Sequence, residues 1–174
     1  MKKLIIVAHP NMSASVINKA WKDELEKHSD LFDVHDIYAA YPDWNIDVAK
    51  EQQLLKVHDT IVLQFPMYWF NCTPLLKKYL DDVFTHGWAY GTGGDKLKGK
   101  KLVLAVSTGS ATAEYSREGK IGSTLEEFLK PFIASAAFCG MEYAGLFTQG
   151  GCLTITPEEV AKSAVKYVEY VKKI

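Results

Sequence analysis

A repeated switch between short apolar runs and longer amphipathic stretches constrains this chain most. Lys2 to Ala8 begins with two lysines and continues as unbroken apolar sequence, as expected of a strand buried on both faces. Ser15 to His28 has helical spacing, with Val16, Ile17, Ala20, Trp21 and Leu25 on one side and charges on the other. Phe32 to Tyr38 alternates and reads as a strand nearer an edge. Asp47 to His58 reads as a helix with Val48, Leu54, Leu55 and Val57 inward, and Thr60 to Phe65 as a central strand. A helix over Thr73 to Phe84, a Gly-rich segment from Gly87 to Gly99 and a strand from Lys100 to Ser107 come next. Ser123 to Ala137 reads as a helix that Pro131 is expected to kink. Met141 to Phe147 completes the strands. Pro157 to Lys173 is the final helix, with Thr156 as N-cap and Pro157 at its first position. Five strands with intervening helices predict an α/β fold, a parallel sheet covered on both faces. No repeat, low-complexity tract or linker interrupts the pattern, so residues 1–174 read as one domain.

Between the central strand and the following helix lies Phe65-Pro66-Met67-Tyr68-Trp69-Phe70-Asn71-Cys72-Thr73-Pro74. Its two prolines fix φ and remove backbone donors, and they bias the preceding residues to extended conformations. The expected product is a stiff loop carrying aromatic side chains at the C-terminal edge of the sheet, where open α/β sheets bind ligands. An aromatic wall there calls for a flat, conjugated ligand.

Composition excludes several classes of function. The net charge is −1, and all but one of the 20 basic residues are lysines, Arg117 being the exception. Base reading and phosphate forking favour arginine, so nucleic acid is not an expected partner. Cys72, Cys139 and Cys152 are odd in number and widely spaced, which fits free thiols in a reducing compartment. The apolar run from Leu4 to Ala8 is too short for a signal peptide, and no run approaches the roughly 20 residues of a membrane span. The expected location is cytoplasmic. His28, His35, His58 and His86 lack metal-ligand spacing, so no metal is expected.

Two further strand ends carry chemistry. After the first strand, His9-Pro10-Asn11-Met12-Ser13-Ala14-Ser15-Val16 opens a helix, and free amides at a helix start attract anions. An ordinary serine N-cap is the competing reading. The segment lacks both a Gly-x-Gly-x-x-Gly turn and the Lys-Ser/Thr ending of a P-loop, so any phosphate held there is an anchor and not a transferred group. After the fourth strand, Ser107-Thr108-Gly109-Ser110 offers amides at close approach, or else a plain flexible loop. Together the three strand ends supply a phosphate cradle, an aromatic wall and a donor loop. These are the parts a flavin mononucleotide needs at the switch point of a sheet ordered 2-1-3-4-5.

The chain resembles the NAD(P)H:quinone oxidoreductase branch of the flavodoxin-like superfamily, which includes modulators of drug activity and ancillary flavoproteins of glutathione-gated potassium efflux. The matching segments are Ala8-His9-Pro10, Glu51-Gln52 with Leu55, and Gln64 to Trp69. They continue through Pro74-Leu75-Leu76-Lys77, Gly87-Trp88-Ala89-Tyr90-Gly91 and Gly99-Lys100 to Thr108-Gly109 and Tyr115. The resemblance implies that His9, Ser15 and Val16 hold the FMN phosphate. It implies that Pro66, Met67, Tyr68, Trp69 and Phe70 line the isoalloxazine, that Thr108 and Gly109 complete its pyrimidine side, and that Tyr115 is catalytic, facing the substrate. It further implies ping-pong hydride transfer from NAD(P)H to the flavin and on to a quinone in one shared slot, within a homodimer.

Two departures qualify the resemblance. The mammalian quinone reductases, which belong to the same branch, place a histidine shortly after the matching tyrosine, whereas Ser116 to Gly122 contains none, leaving Lys120 or water for its role. The sequence also lacks the C-terminal extension that helps hold the adenosine half of FAD, so FMN is expected ahead of FAD. A regulatory subunit of a potassium efflux antiporter is the alternative, with a membrane transporter as partner. A flavodoxin-type electron carrier ranks last, because such carriers dock through strong acidity and this chain is near neutral.

Overall fold

A computed structural model describes residues Met1–Ile174. Five parallel strands, β1 (Lys3–Val7), β2 (Phe32–Asp36), β3 (Thr60–Pro66), β4 (Lys101–Ser107) and β5 (Glu142–Gln149), form one sheet in the order β2-β1-β3-β4-β5. This is the flavodoxin-like order expected from the sequence. The helices are α1 (Ile17–Glu26), α2 (Ile37–Ala40), α3 (Val48–Lys56), α4 (Pro74–Val83), α5 (Leu125–Phe138) and α6 (Pro157–Lys172).

The two-residue period of each central strand assigns its side chains to opposite layers. Leu4, Ile6, Ile61, Leu63, Leu102 and Leu104 face the core built with α2 to α5. Ile5, Val7, Val62, Val103 and Ala105 face the core built with α1 and α6. Both layers are apolar, so these strands carry unbroken hydrophobic runs. Beneath α1, the fully buried Trp21 packs at 4.8 Å on Tyr167 and at 5.3 Å on Phe147. Its indole Nε1 donates to Ser163 Oγ at 3.0 Å. Truncating such a residue to alanine typically costs about 3–5 kcal/mol. Trp21 is thus a core residue of the layer that positions the start of α1.

The element ends differ from the sequence reading for local reasons. The alternation seen through Tyr38 stops being strand at Asp36, whose carboxylate caps the amides of Tyr38 and Ala39, both at 3.1 Å, and starts α2. Val57 is exposed, because α3 ends at Lys56 and the chain leaves the helix there. Val16 is exposed too, standing at the N-cap of α1 and not on its inward face. α5 runs continuously through Pro131. Thr124 and Glu127 form a capping box at its start, as Thr156 and Glu159 do for α6. No helix is long and apolar enough to cross a membrane.

Candidate functional site

The C-terminal ends of β1, β3 and β4 open onto a cleft of about 380 Å³. Three segments built on consecutive strands of the sheet form its walls: His9 and Ala14 to Asn18, then Pro66 to Tyr68, then Ser107 to Gly109. Cys152 and Leu153, from the segment after β5, close the remaining side. Main-chain bonds hold the walls in register. Met67 N donates to Ser107 O at 2.8 Å, Thr108 N to Gln149 O at 2.9 Å, and Cys152 N to Thr108 O at 3.1 Å. Gly150 leaves no room for a side chain, since a Cβ there would meet the Thr112 amide at 2.5 Å. The loops after β4 and β5 therefore lie backbone against backbone.

Of the residues singled out in the sequence, His9, Ser15, Val16, Pro66, Met67, Tyr68, Thr108 and Gly109 meet in this cleft. Trp69, Phe70 and Tyr115 are not part of its lining. Tyr68 and Asn71 exchange main-chain bonds around Trp69 and Phe70, which have φ of 45° and 63°. That conformation is rare for bulky residues and leaves Trp69 93% exposed. Phe70 folds back onto Phe128 of α5, ring centroids 4.9 Å apart. Tyr115 meets the same Phe128 edge-on at 6.3 Å. Phe70, Phe128 and Tyr115 thus form a half-exposed aromatic ledge between the β3 and β4 loops. Burial raises the Tyr115 phenol above its ordinary range, with the Thr108 hydroxyl pulling the other way and Glu114 pushing upward. The phenol stays protonated at neutral pH and able to donate.

His9 is held by its loop, its Nδ1 accepting from Asn11 N at 3.1 Å. Burial lowers its basicity against the pull of Asp36, and an Nδ1 that accepts carries no proton, so the ring is neutral at pH 7. Val16 supplies no side-chain cap to α1, which leaves the first-turn amides without the acceptor that Ser, Thr or Asp would give. An anion is the natural complement to amides in that state.

Asn18 lines the cleft and was not singled out in the sequence, where it passes for one more polar helix residue. Its readable signal was position: with Trp21 and Leu25 it shares the buried face of α1, where a polar side chain needs a reason. Cys152 and Leu153 follow a strand end but lie in a segment without a motif.

The residues present fit a flavin mononucleotide. The lining brings together the uncapped start of α1, a neutral histidine, the ring of Tyr68 and the Ser107-to-Gly109 loop, and the buried Asn18 Oδ1 has no donor in the protein. Outside the cleft, Arg117 pairs with Glu127 at 3.3 Å, and Asp81 pairs with Lys77 on α4.

A five-stranded parallel sheet in this order, with a cleft at its β1 and β3 ends, defines a flavodoxin-like protein, and the chain belongs to that family: the model of the flavodoxin-like fold matches residues 1–173. It is 49% identical over 172 residues to the uncharacterized NAD(P)H oxidoreductase YrkL of Bacillus subtilis (strain 168), covering 99% of this chain and 98% of that protein. It is 37% identical over 164 residues to the glutathione-regulated potassium-efflux system ancillary protein KefF of Enterobacter sp. (strain 638), covering 94% and 91%. Among solved structures, general stress protein 14 of Treponema denticola in complex with FMN superposes with a TM-score of 0.94 at 46% identity, covering 99% of each chain. An NADPH-quinone reductase from P. pentosaceus superposes with a TM-score of 0.88 at 32% identity, covering 98% and 97%.

Proposed function

We propose that the protein is an FMN-dependent NAD(P)H oxidoreductase acting on quinones or similarly flat acceptors. The observation that carries this reading is the meeting of the His9-to-Asn18, Pro66-to-Tyr68 and Ser107-to-Gly109 segments in one cleft. The full-length likeness to an FMN complex and to an NADPH-quinone reductase supports it. Bound FMN would supply hydride-transfer chemistry, while the protein supplies alignment and electrostatics.

In this reading His9, Ser15, Val16 and the first amides of α1 hold the phosphate. Pro66, Met67 and Tyr68 flank the ring, and the loop amides around Thr108 and Gly109 meet its polar edge. Trp69, Phe70 and Tyr115 stand beyond the cleft proper, on the side where a substrate stacks. Two flat substrates taking turns in one apolar slot need no separate pockets. Tyr115, kept protonated, donates a hydrogen bond to the acceptor oxygen as negative charge develops there.

The same reading includes a homodimer. A second cleft of about 370 Å³ lies between α4 and α5, lined by Leu80, Phe84, Phe132 and the 71% exposed Phe138, and reaches Asn71 of the aromatic turn. A second copy covering Phe138 and Trp69 would bury this apolar surface and close the slot. The FMN-free protein should recover a flavin spectrum on addition of FMN and then oxidise NADH or NADPH with a benzoquinone. Absence of flavin binding would sink the proposal.

The KefF likeness favours a second reading, a regulatory subunit of a potassium efflux antiporter using the same cleft. Flavin binding without turnover, together with co-purification of a membrane transporter, would select it.

A further inference from the structure

The single arginine of the chain stands beside the aromatic ledge. Tyr115 meets Phe128 of α5 edge-on, and two residues further along the loop Arg117 reaches Glu127, the residue before Phe128. Loop and helix are joined twice, once through rings and once through charge. The loop itself is closed. Ile121 N donates to Glu114 O and Gly119 N to Ser116 O, both at 3.2 Å, and Ser116 Oγ donates to Ala113 O at 3.2 Å. A Cβ at Gly119 would meet Glu114 O at 2.4 Å, so the two sides of the loop touch backbone to backbone.

Glu127 is fixed independently of Arg117. Its Oε2 accepts from Thr124 N at 2.9 Å, closing the capping box of α5, while its Oε1 accepts from Arg117 Nη2 at 3.3 Å. That contact uses one nitrogen of the guanidinium, and the Arg117 side chain is 76% exposed. A pair so exposed contributes little to stability. Its effect is to hold a long side chain in one place with most of its five donors unclaimed. Charge alone does not draw an anion there: Glu114, Glu118 and Glu126 lie on the same loop and helix turn, against Lys120 and Lys130. A phosphate at this position depends on directed hydrogen bonds. The planar guanidinium gives them as a two-pronged fork, which an ammonium does not.

We propose that Arg117 is a specificity-determining residue whose forked donors bind a phosphate group of the dinucleotide hydride donor. This rests on the oxidoreductase reading, in which the nicotinamide stacks beside Phe70 and Tyr115. The ribose and phosphates of NADH or NADPH trail from that ring. Of the cations beside the ledge, Arg117 is the one tied down by an ion pair.

The test gives the FMN-loaded protein three hydride donors, with a benzoquinone as acceptor. They are NADH, NADPH and N-benzyl-1,4-dihydronicotinamide, which carries the reacting ring and no phosphate. Arg117→Gln should lower kcat/KM for NADH and NADPH about tenfold, the worth of one charge-assisted hydrogen bond, and leave the benzyl donor unchanged. A larger loss for NADPH assigns the 2′-phosphate to Arg117, and equal losses assign the diphosphate. Arg117→Lys, which keeps the charge and loses the fork, should recover only part of the loss. Flavin content and melting temperature should match the wild type in both variants, because the pair is exposed and outside the cleft. Unchanged kcat/KM for both nucleotides, an equal loss for the benzyl donor, or full recovery by lysine would overturn the assignment. A wild type that turns over none of the three donors would overturn the oxidoreductase reading itself, and this proposal with it.

Discussion

Tyr68 and Asn71 exchange both of their main-chain hydrogen bonds, at 2.8 and 3.0 Å, across only two intervening residues. Such a two-residue turn with both central φ positive usually carries Asn-Gly. Here it carries Trp69 and Phe70. Each bulky residue in that conformation costs on the order of 1–2 kcal/mol, and the strain persists because the Tyr68–Asn71 pair and the Phe70–Phe128 stack enforce it.

Trp69→Asn should therefore stabilise the fold, since Asn tolerates the left-handed region and the indole it replaces is nearly fully exposed. A gain of about 1 kcal/mol in urea unfolding, accompanied by weaker flavin retention and slower quinone turnover, is the expected outcome. A stabilised variant with unchanged retention and turnover would show that the strain serves neither.

Tyr115→Phe should lower turnover by about tenfold or more while leaving flavin affinity unchanged, because one donated hydrogen bond to the acceptor is removed. Steady-state rates with a benzoquinone, set beside flavin titration, separate the two effects. Unchanged turnover would exclude Tyr115 as the donor.

Phe138→Glu places a charge on the exposed ring position of α5 and should break the proposed homodimer. Light scattering should show a monomer with diminished turnover. A wild type that is already monomeric at micromolar concentration would reject the dimer.

Glu51 is fully buried on α3, where its carboxylate accepts from Tyr79 OH at 3.0 Å, from Tyr41 OH and from His35 Nε2 at 2.9 Å. Burial alone would raise its pKa, but the three donors outweigh it and hold the group below its ordinary 4.5. The unfolded chain thus takes up the proton first as pH falls. The stabilisation is complete above about pH 5 and is lost progressively below 4.5 as the folded value is approached. Glu51→Leu should flatten that acid limb in urea unfolding, and at pH 7 it should cost about 1–3 kcal/mol for each donor left unpaired. An acid limb identical to that of the wild type would remove Glu51 from this role.

The sheet was legible because β1, β3 and β4 are buried on both faces, so their apolar runs stand out whatever the tertiary context. The end of β2 was not, because the alternation from Val34 to Tyr38 looks the same whether or not Asp36 turns to cap α2. Most of the cleft could be read from strand ends. Asn18 escaped because its burial depends on Gln64 and Ser107, far away in sequence, and helical spacing alone does not report that. The positive φ of Trp69 was hidden for another reason: its residue type argues against the conformation that the Tyr68–Asn71 pair and the Phe70–Phe128 stack impose.

The cleft draws on segments as distant in the chain as His9 and Gly109, joined only through β1, β3 and β4 side by side. A ribosome-bound chain that has not yet released β4 has no cleft to offer. On the FMN reading, cofactor capture would follow assembly of the sheet, and a captured flavin would favour the completed sheet by mass action alone. Flavin retention in the cell would thereby report on whether the central strands have closed ranks.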